Sequence, residues 1–220
     1  PPTPARPANE PGSRHPVQLV SAGYTEGFYS KPRIDKELLR GHREGLIVLS
    51  SCLKGEVSQS LAGGNYAKAK AAALQYRDIL GPENFFLEIQ DHGIPDQQKI
   101  IPMMAKLGDE VGLRLVATND SHYLNKDDSF AHEVLLAIGT GKTLSDDKRM
   151  KFYSDDFYVK SPQEMSSIFQ AYPEAVANTA AIAERVNMKL DVSGHHLPKF
   201  PVPKGFDSAG YFEKVAREGL

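Results

Sequence analysis

Three short apolar runs, each ending in a burst of small polar or metal-binding residue types, constrain this chain more than anything else in it. They are Gly45-Leu-Ile-Val-Leu-Ser-Ser-Cys52, Asn84-Phe-Phe-Leu-Glu-Ile-Gln90 and Leu113-Arg-Leu-Val-Ala-Thr-Asn119. Runs this short, bounded by polar residues and rich in strand formers, read as buried strands. Helical patterns lie between them. In Asn65 to Leu80 the residues Tyr66, Ala69, Ala73, Tyr76 and Leu80 fall near 3.6-residue spacing, with Asn65 placed as an N-cap. Glu56 to Leu61 reads as a shorter helix. Asp96 to Gly112 reads as an amphipathic one, with Ile100, Ile101, Met104, Leu107 and Val111 inward and Pro102 tolerated in an early turn. Alternating strand and helix is the mark of an α/β fold with a parallel sheet. Right-handed crossovers then put every polar strand end on one side, as in an open-sheet crevice or the top of a barrel. Three strands are too few to close a barrel, so further strands are expected before residue 17.

The last run ends in Thr118-Asn-Asp-Ser-His122. Asp120 and His122 are two apart, so in extended backbone they point to the same side. A carboxylate and an imidazole at a strand's carboxyl end suit a metal or a reaction; the plainer reading makes Asp120 a helix cap and His122 a surface histidine. Cys52, the single cysteine, ends the first run in the same manner. A lone cysteine is commonly a small buried residue; the alternative is a soft ligand joining Asp120 and His122. Cysteine, histidine and aspartate together suit zinc or another first-row divalent ion. A zinc held by three such ligands with a bound water could hydrolyse a phosphoester. No CxxC, HExxH or HxH spacing strengthens the case.

A net charge of −2 over 220 residues gives no whole-chain attraction to nucleic acid. One cysteine rules out an intrachain disulfide and fits a reducing compartment. The absence of a long apolar run and of a signal peptide points to a soluble, cytoplasmic protein. Residues 1–16 carry six of the 15 prolines and almost nothing able to form a core, which predicts a disordered or extended start. Val17 to Gly27 reads as the end of a helix stopped at Gly23, and Ile34 to Arg40 as a short helix. The character changes near residue 125. Ala131 to Thr140 reads as a helix, aromatic-rich Phe152 to Val159 as short strands, and Ser161-Pro-Gln-Glu164 as a capping box opening a helix to Tyr172. A helix from Pro173 to Asn187, a linker over 192–206 and a helix over Asp207 to Glu218 complete the chain. Gly139-Thr-Gly-Lys-Thr143 lacks the spacing and the preceding strand of a phosphate loop. Lys142, Lys148, Arg149 and Lys151 make a basic cluster beside aromatics that could touch a nucleic-acid backbone, but four nearby aspartates favour a solvated surface. His195-His196 reads as surface.

Several strings are more specific. Gly45-Leu-Ile-Val-Leu-Ser-Ser-Cys-Leu-Lys-Gly-Glu56, Phe86-Leu-Glu-Ile-Gln-Asp-His-Gly93 and Thr118-Asn-Asp-Ser-His-Tyr123 resemble the PHP (polymerase and histidinol phosphatase) domain of the alpha subunits of bacterial DNA polymerase III. Gly139-Thr-Gly-Lys-Thr-Leu-Ser-Asp146, Phe157-Tyr-Val-Lys-Ser-Pro-Gln-Glu-Met165 and Asn178-Thr-Ala-Ala-Ile-Ala-Glu184 are similar to later segments of those subunits, in the same order. The resemblance covers about residues 17 to 220. It implies a distorted (β/α)7 TIM-like barrel with metal ligands at the strand ends, and Cys52, Asp120 and His122 fall on three of those positions. The others, an early His-x-His among them, are upstream in the family, and residues 1–16 match none of them. The chain therefore reads as a fragment: a proline-rich start (1–16), the C-terminal part of the barrel (17–125), its mostly helical end (126–191), a linker (192–206) and the start of the polymerase core (207–220). The catalytic carboxylates for nucleotidyl transfer would lie beyond Leu220. For the intact protein the resemblance implies DNA-directed DNA synthesis with magnesium, DNA and dNTPs. It also implies zinc or manganese at a complete PHP site that is structural or a 3′–5′ exonuclease. The implied partners are a proofreading exonuclease, a sliding clamp and a clamp loader. A free-standing PHP phosphoesterase, or a module that docks a proofreading subunit, are the alternatives.

Overall fold

A computed structural model describes residues 5–7, 10–188 and 200–220. The chain divides into two compact units, Pro1–Met188 and Lys189–Leu220. The first is built on a sheet in the order β1 (Ala5–Pro7), β2 (Leu46–Leu49), β3 (Phe85–Ile89) and β4 (Leu115–Ala117). The strands β2, β3 and β4 are the three apolar runs and pair in parallel, with Val48 opposite Phe85 and Glu88 opposite Val116. Their carboxyl ends therefore share one side.

Every residue of β2 and β3 is buried. Alternate residues serve opposite faces, as the two-residue period of a strand requires. Leu46, Val48, Phe85, Leu87 and Ile89 pack with Val57 and Leu61 of α3 (Glu56–Ala62), Ala69 and Ala73 of α4 (Tyr66–Leu80), and Met104 and Leu107 of α5 (Pro95–Val111). Ile47, Leu49, Phe86 and Val116 form the other face, against Ile182 of α8 (Pro173–Arg185). Asn178 on α8 donates its side-chain amide to the Leu115 carbonyl at 2.8 Å, which fixes that helix to β4. Helices on both faces explain why Leu46–Leu49 reads as an unbroken apolar run, and why Phe85–Ile89, whose sequence suggests alternation, is buried throughout.

The caps agree with the sequence signals. Asn65 Oδ1 accepts the Lys68 amide at 3.0 Å, and Ser161 with Glu164 closes a capping box at the start of α7 (Pro162–Ile168). Gly112 ends α5 in the left-handed region (φ 65°), where a side chain would be strained. Pro102 is accommodated within α5.

Three expectations need correcting. The proline-rich start is extended over Ala5–Pro7, which pairs antiparallel with β2, but from Glu10 it is helical: α1 (Glu10–Thr25) contains Pro16 and buries Leu19. That helix also runs through Gly23, because glycine weakens a helix without stopping one whose backbone bonds continue, here Glu26 N–H to the Ala22 carbonyl at 2.9 Å. Phe152 to Val159 forms no strand beyond a single bridge, Tyr123 with Tyr158. Phe152 and Phe157 instead turn toward a group of histidines. The expected short helices appear as α2 (Lys36–Gly41) and α6 (Ser129–Gly139).

In the second unit α9 (Ser208–Glu218) is capped by Asp207, whose carboxylate accepts the Gly210 amide at 2.7 Å. Most of the linker expected over 192–206, with His195 and His196, lies outside the described residues. Among the described residues no helix is long and apolar enough to cross a membrane.

Candidate functional site

The parallel strands deliver Ser50, Ser51 and Cys52 from β2, Gln90, Asp91 and His92 from β3, and Thr118 to His122 from β4 to one side of the sheet. Asp120 and His122 do come together, with Oδ1 and Nε2 3.7 Å apart and both side chains about a third exposed (38% and 35%). The reason is not the one extended backbone would supply. The strand ends at Ala117 and Asp120 is left-handed (φ 45°), so a turn brings the two side chains together. A non-glycine residue in that region costs about 1 kcal/mol or more and must be held by its surroundings.

His122 is held by its amide, which donates to the Phe157 carbonyl at 2.7 Å, and by rings. Phe152 meets its imidazole edge-on at 4.7 Å, and His132 lies 5.4 Å away. Burial, and then the neighbouring His122, push the His132 imidazole below its ordinary value and favour its neutral form. Tyr123, Phe130, His132, Glu133, Phe152 and Tyr153 line a cleft of about 450 Å³ between α6 and the Phe152 segment. On the other side Asn119 is gripped by residues 158–160. It donates to the Tyr158 carbonyl at 2.5 Å and accepts from Lys160 Nζ at 3.1 Å. Burial lowers the Lys160 ammonium.

Beneath these groups is a residue that the sequence does not single out. Glu88 on β3 is 8% exposed, and burial raises its carboxyl above the ordinary glutamate range. Its Oε2 accepts the Ser51 amide at 2.9 Å. Its Oε1 accepts from the Thr118 hydroxyl at 2.5 Å and from Gln90 Nε2 at 3.2 Å. Strand parity places Glu88 and Gln90 on the face that holds Phe86, so that face turns from apolar to polar toward the strand ends. The only sequence signal is a charged residue inside an otherwise apolar run.

His92 is also at the strand ends but is not free to bind anything. Its ring stacks on Phe157 at 4.0 Å, Nε2 meets the Asn119 carbonyl at 2.7 Å, and Nδ1 meets the Gln97 side chain. It is a satisfied core histidine that ties β3 to the turn after β4. Cys52 is a free, half-buried thiol beside a cavity of about 10 Å³, which it lines with Ser51, Ser58, Glu88, Gln90 and Gln97. Among the described residues no three histidines, cysteines or acids stand together so as to hold a metal ion. Asp120 and His122 form a pair without Cys52 as a third member. This arrangement does not fit a zinc centre with three protein ligands and a water.

Two other sequence candidates resolve simply. In the Gly139–Thr143 loop, Asp146 accepts from both the amide and the hydroxyl of Thr143, at 2.7 and 3.0 Å, so these two donors are already taken by a carboxylate. Arg149 of the basic cluster is buried against Glu133 in an ion pair, its side chain 9% exposed, and is not a solvated cation.

Comparison with known proteins adds the remaining finding. Residues 7–92 match the family model described as PHP domain. The chain is 44% identical over 213 residues to the DNA polymerase III subunit alpha of Treponema pallidum, covering 96% of this chain and 18% of that protein. It is 46% identical over 200 residues to the subunit of the same name from Deinococcus radiodurans (88% and 15%), and 41% over 218 residues to that of Thermus aquaticus (95% and 18%). The chain thus spans less than a fifth of the length of these relatives.

Proposed function

Since this chain carries a PHP domain and is related over most of its length to the alpha subunits of DNA polymerase III, we propose that it is a segment of such a subunit, serving template-directed DNA synthesis in the intact protein. The nucleotidyl transfer itself, with its magnesium, dNTPs and primed DNA, then belongs to parts of the polypeptide outside these 220 residues. The clamp, clamp loader and proofreading exonuclease are partners of that larger assembly, which works in the cytoplasm. Within the segment, residues 17–125 are read as part of a distorted (β/α)7 barrel, although the PHP match begins earlier, at residue 7. Residues 126–191 are its helical end, 192–206 a linker and 207–220 the start of the polymerase core.

On this reading Cys52, Asp120 and His122 are three members of a larger set of zinc or manganese ligands. The observation that carries it is the pairing of Asp120 with His122 at the carboxyl end of β4, without a third ligand beside them among the described residues. The chain's own residues hold the pair in place through the left-handed turn at Asp120 and the Phe157 carbonyl on the His122 amide. Two side chains, or three if Cys52 swings in, would hold at most one ion weakly. The reading makes the segment a platform, and no exonuclease activity is expected of it.

A 3′-labelled primer incubated with the purified chain and manganese or zinc tests this. No nucleotide release is expected. Metal-stimulated release that disappears in Asp120→Ala would overturn the reading.

A further inference from the structure

We infer that Glu88 is the positioning residue of the strand-end site: one buried carboxylate on the middle strand that couples the Cys52 turn after β2 to the Asp120–His122 turn after β4. The inference rests on the reading of those three residues as one site.

Glu88 spends both oxygens on its neighbours in the sheet. Oε2 takes the Ser51 amide, one residue before Cys52, and Oε1 takes the Thr118 hydroxyl, two residues before Asp120. The residues it controls are the strained ones. Ser51 (φ 72°) and Asp120 (φ 45°) are two of three non-glycine residues at positive φ among the described residues, and they come after the two strands flanking Glu88. A left-handed residue at a strand end persists only where its surroundings over-determine it, and such positions cluster at sites. Further bonds make the three ends one unit. Gln90 Nε2 reaches the Thr118 hydroxyl at 3.0 Å, Ser50 Oγ accepts the Glu88 amide at 2.8 Å, and His92 Nε2 meets the Asn119 carbonyl. An apolar side chain would fill position 88 without the desolvation cost of a carboxylate. A buried acid whose acceptors are all directed at strand ends is better explained by the geometry it imposes than by stability.

The single thiol makes the coupling measurable in the whole chain. Thr118→Val keeps the side-chain shape, removes one bond to Glu88 and lies on a different strand from Cys52. It is expected to change the rate of Cys52 alkylation by iodoacetamide about threefold or more, the scale of coupling within one hydrogen-bond network. In a Glu88→Leu background, which fills the space and removes both bonds, Thr118→Val is expected to add nothing. Glu88→Gln keeps an acceptor for the Ser51 amide and is expected to restore the response. An unchanged Cys52 rate in folded Thr118→Val, or an equal change in the Glu88→Leu background, would overturn the inference; should Glu88→Leu fail to fold, the first of these still decides. The site reading fails separately. If Asp120→Ala leaves manganese binding to the chain unaltered, Asp120 is no ligand, whatever the thiol reports.

Discussion

Glu88 Oε2 accepts a hydrogen bond from the Ser51 amide at 2.9 Å, so the acid of the middle parallel strand holds the residue that precedes Cys52. Burial raises the folded-state pKa of Glu88 above its ordinary value. For an acid shifted upward, the favourable contribution to stability is fully present below the ordinary glutamate pKa and lost as pH rises through the raised one. Urea unfolding of the protein and of Glu88→Gln should show this directly. The stability of the parent relative to the variant is expected to be greater at about pH 4 than at about pH 7. A difference that does not change with pH would place Glu88 in a more polar setting than its bonds indicate.

Gly55 opens α3 directly behind Cys52. A methyl group there would lie 2.1 Å from the Ser50 carbonyl oxygen and 3.2 Å from that of Cys52. Both obstacles are backbone, so the turn itself must move. Gly55→Ala is expected to cost about 1–3 kcal/mol, the range for overpacking, by chemical denaturation. Gly139→Ala is the control: nothing lies within 4 Å of its added carbon, and it is expected to be neutral or to stabilise by a few tenths of a kcal/mol.

The capping box of α7 links stability to acid pH. The Tyr158 hydroxyl, then the Ser161 amide and hydroxyl, hold the Glu164 carboxyl down to about 2. Its contribution is present above the ordinary glutamate value and is lost as pH falls toward about 2. Ser161→Ala removes the N-cap oxygen that accepts the Glu164 amide and is expected to cost about 1 kcal/mol. Thermal unfolding at neutral and acid pH checks both statements, since the loss should shrink in acid.

Arg149 separates the two readings of the basic cluster. Its side chain is buried against Glu133, which is itself a third exposed, and losing the buried, charge-assisted hydrogen bond costs about 1–3 kcal/mol. Arg149→Ala should therefore lower the melting temperature. Lys148→Ala, on an exposed residue, should not. If Arg149→Ala leaves stability unaltered and weakens DNA binding instead, this side chain belongs to a nucleic-acid surface.

The parallel strands β2 and β3 were legible because they are buried on both faces; β1, in the proline-rich start, was not. Leu46–Leu49 reads as an unbroken apolar run for that reason, Phe85–Ile89 as one interrupted only by Glu88, and the capping residues Asn65 and Ser161 announced their helices locally. What could not be read depends on neighbours distant in sequence. Glu88 looks like any acid in a strand until Ser51 and Thr118, 37 and 30 residues away, are placed beside it. His92 and His122 look alike in sequence; one is saturated by Gln97 and Asn119, while the other stands 3.7 Å from a carboxylate. Phe152 to Val159 has strand-like composition, yet its aromatic rings are drawn to His122, His132 and His92 instead of to a sheet edge. Extended backbone would set Asp120 and His122 on one side; the 3.7 Å approach comes instead from the left-handed turn at Asp120.

The central proposal is that Asp120 and His122 belong to a metal site, with no third ligand beside them among the described residues. The metal content of the purified chain after dialysis, together with a manganese titration with and without Asp120→Ala, tests it most directly. The expected result is no metal retained through dialysis, and at most one weakly bound manganese ion that Asp120→Ala abolishes. Two or more ions retained in stoichiometric amount would contradict it.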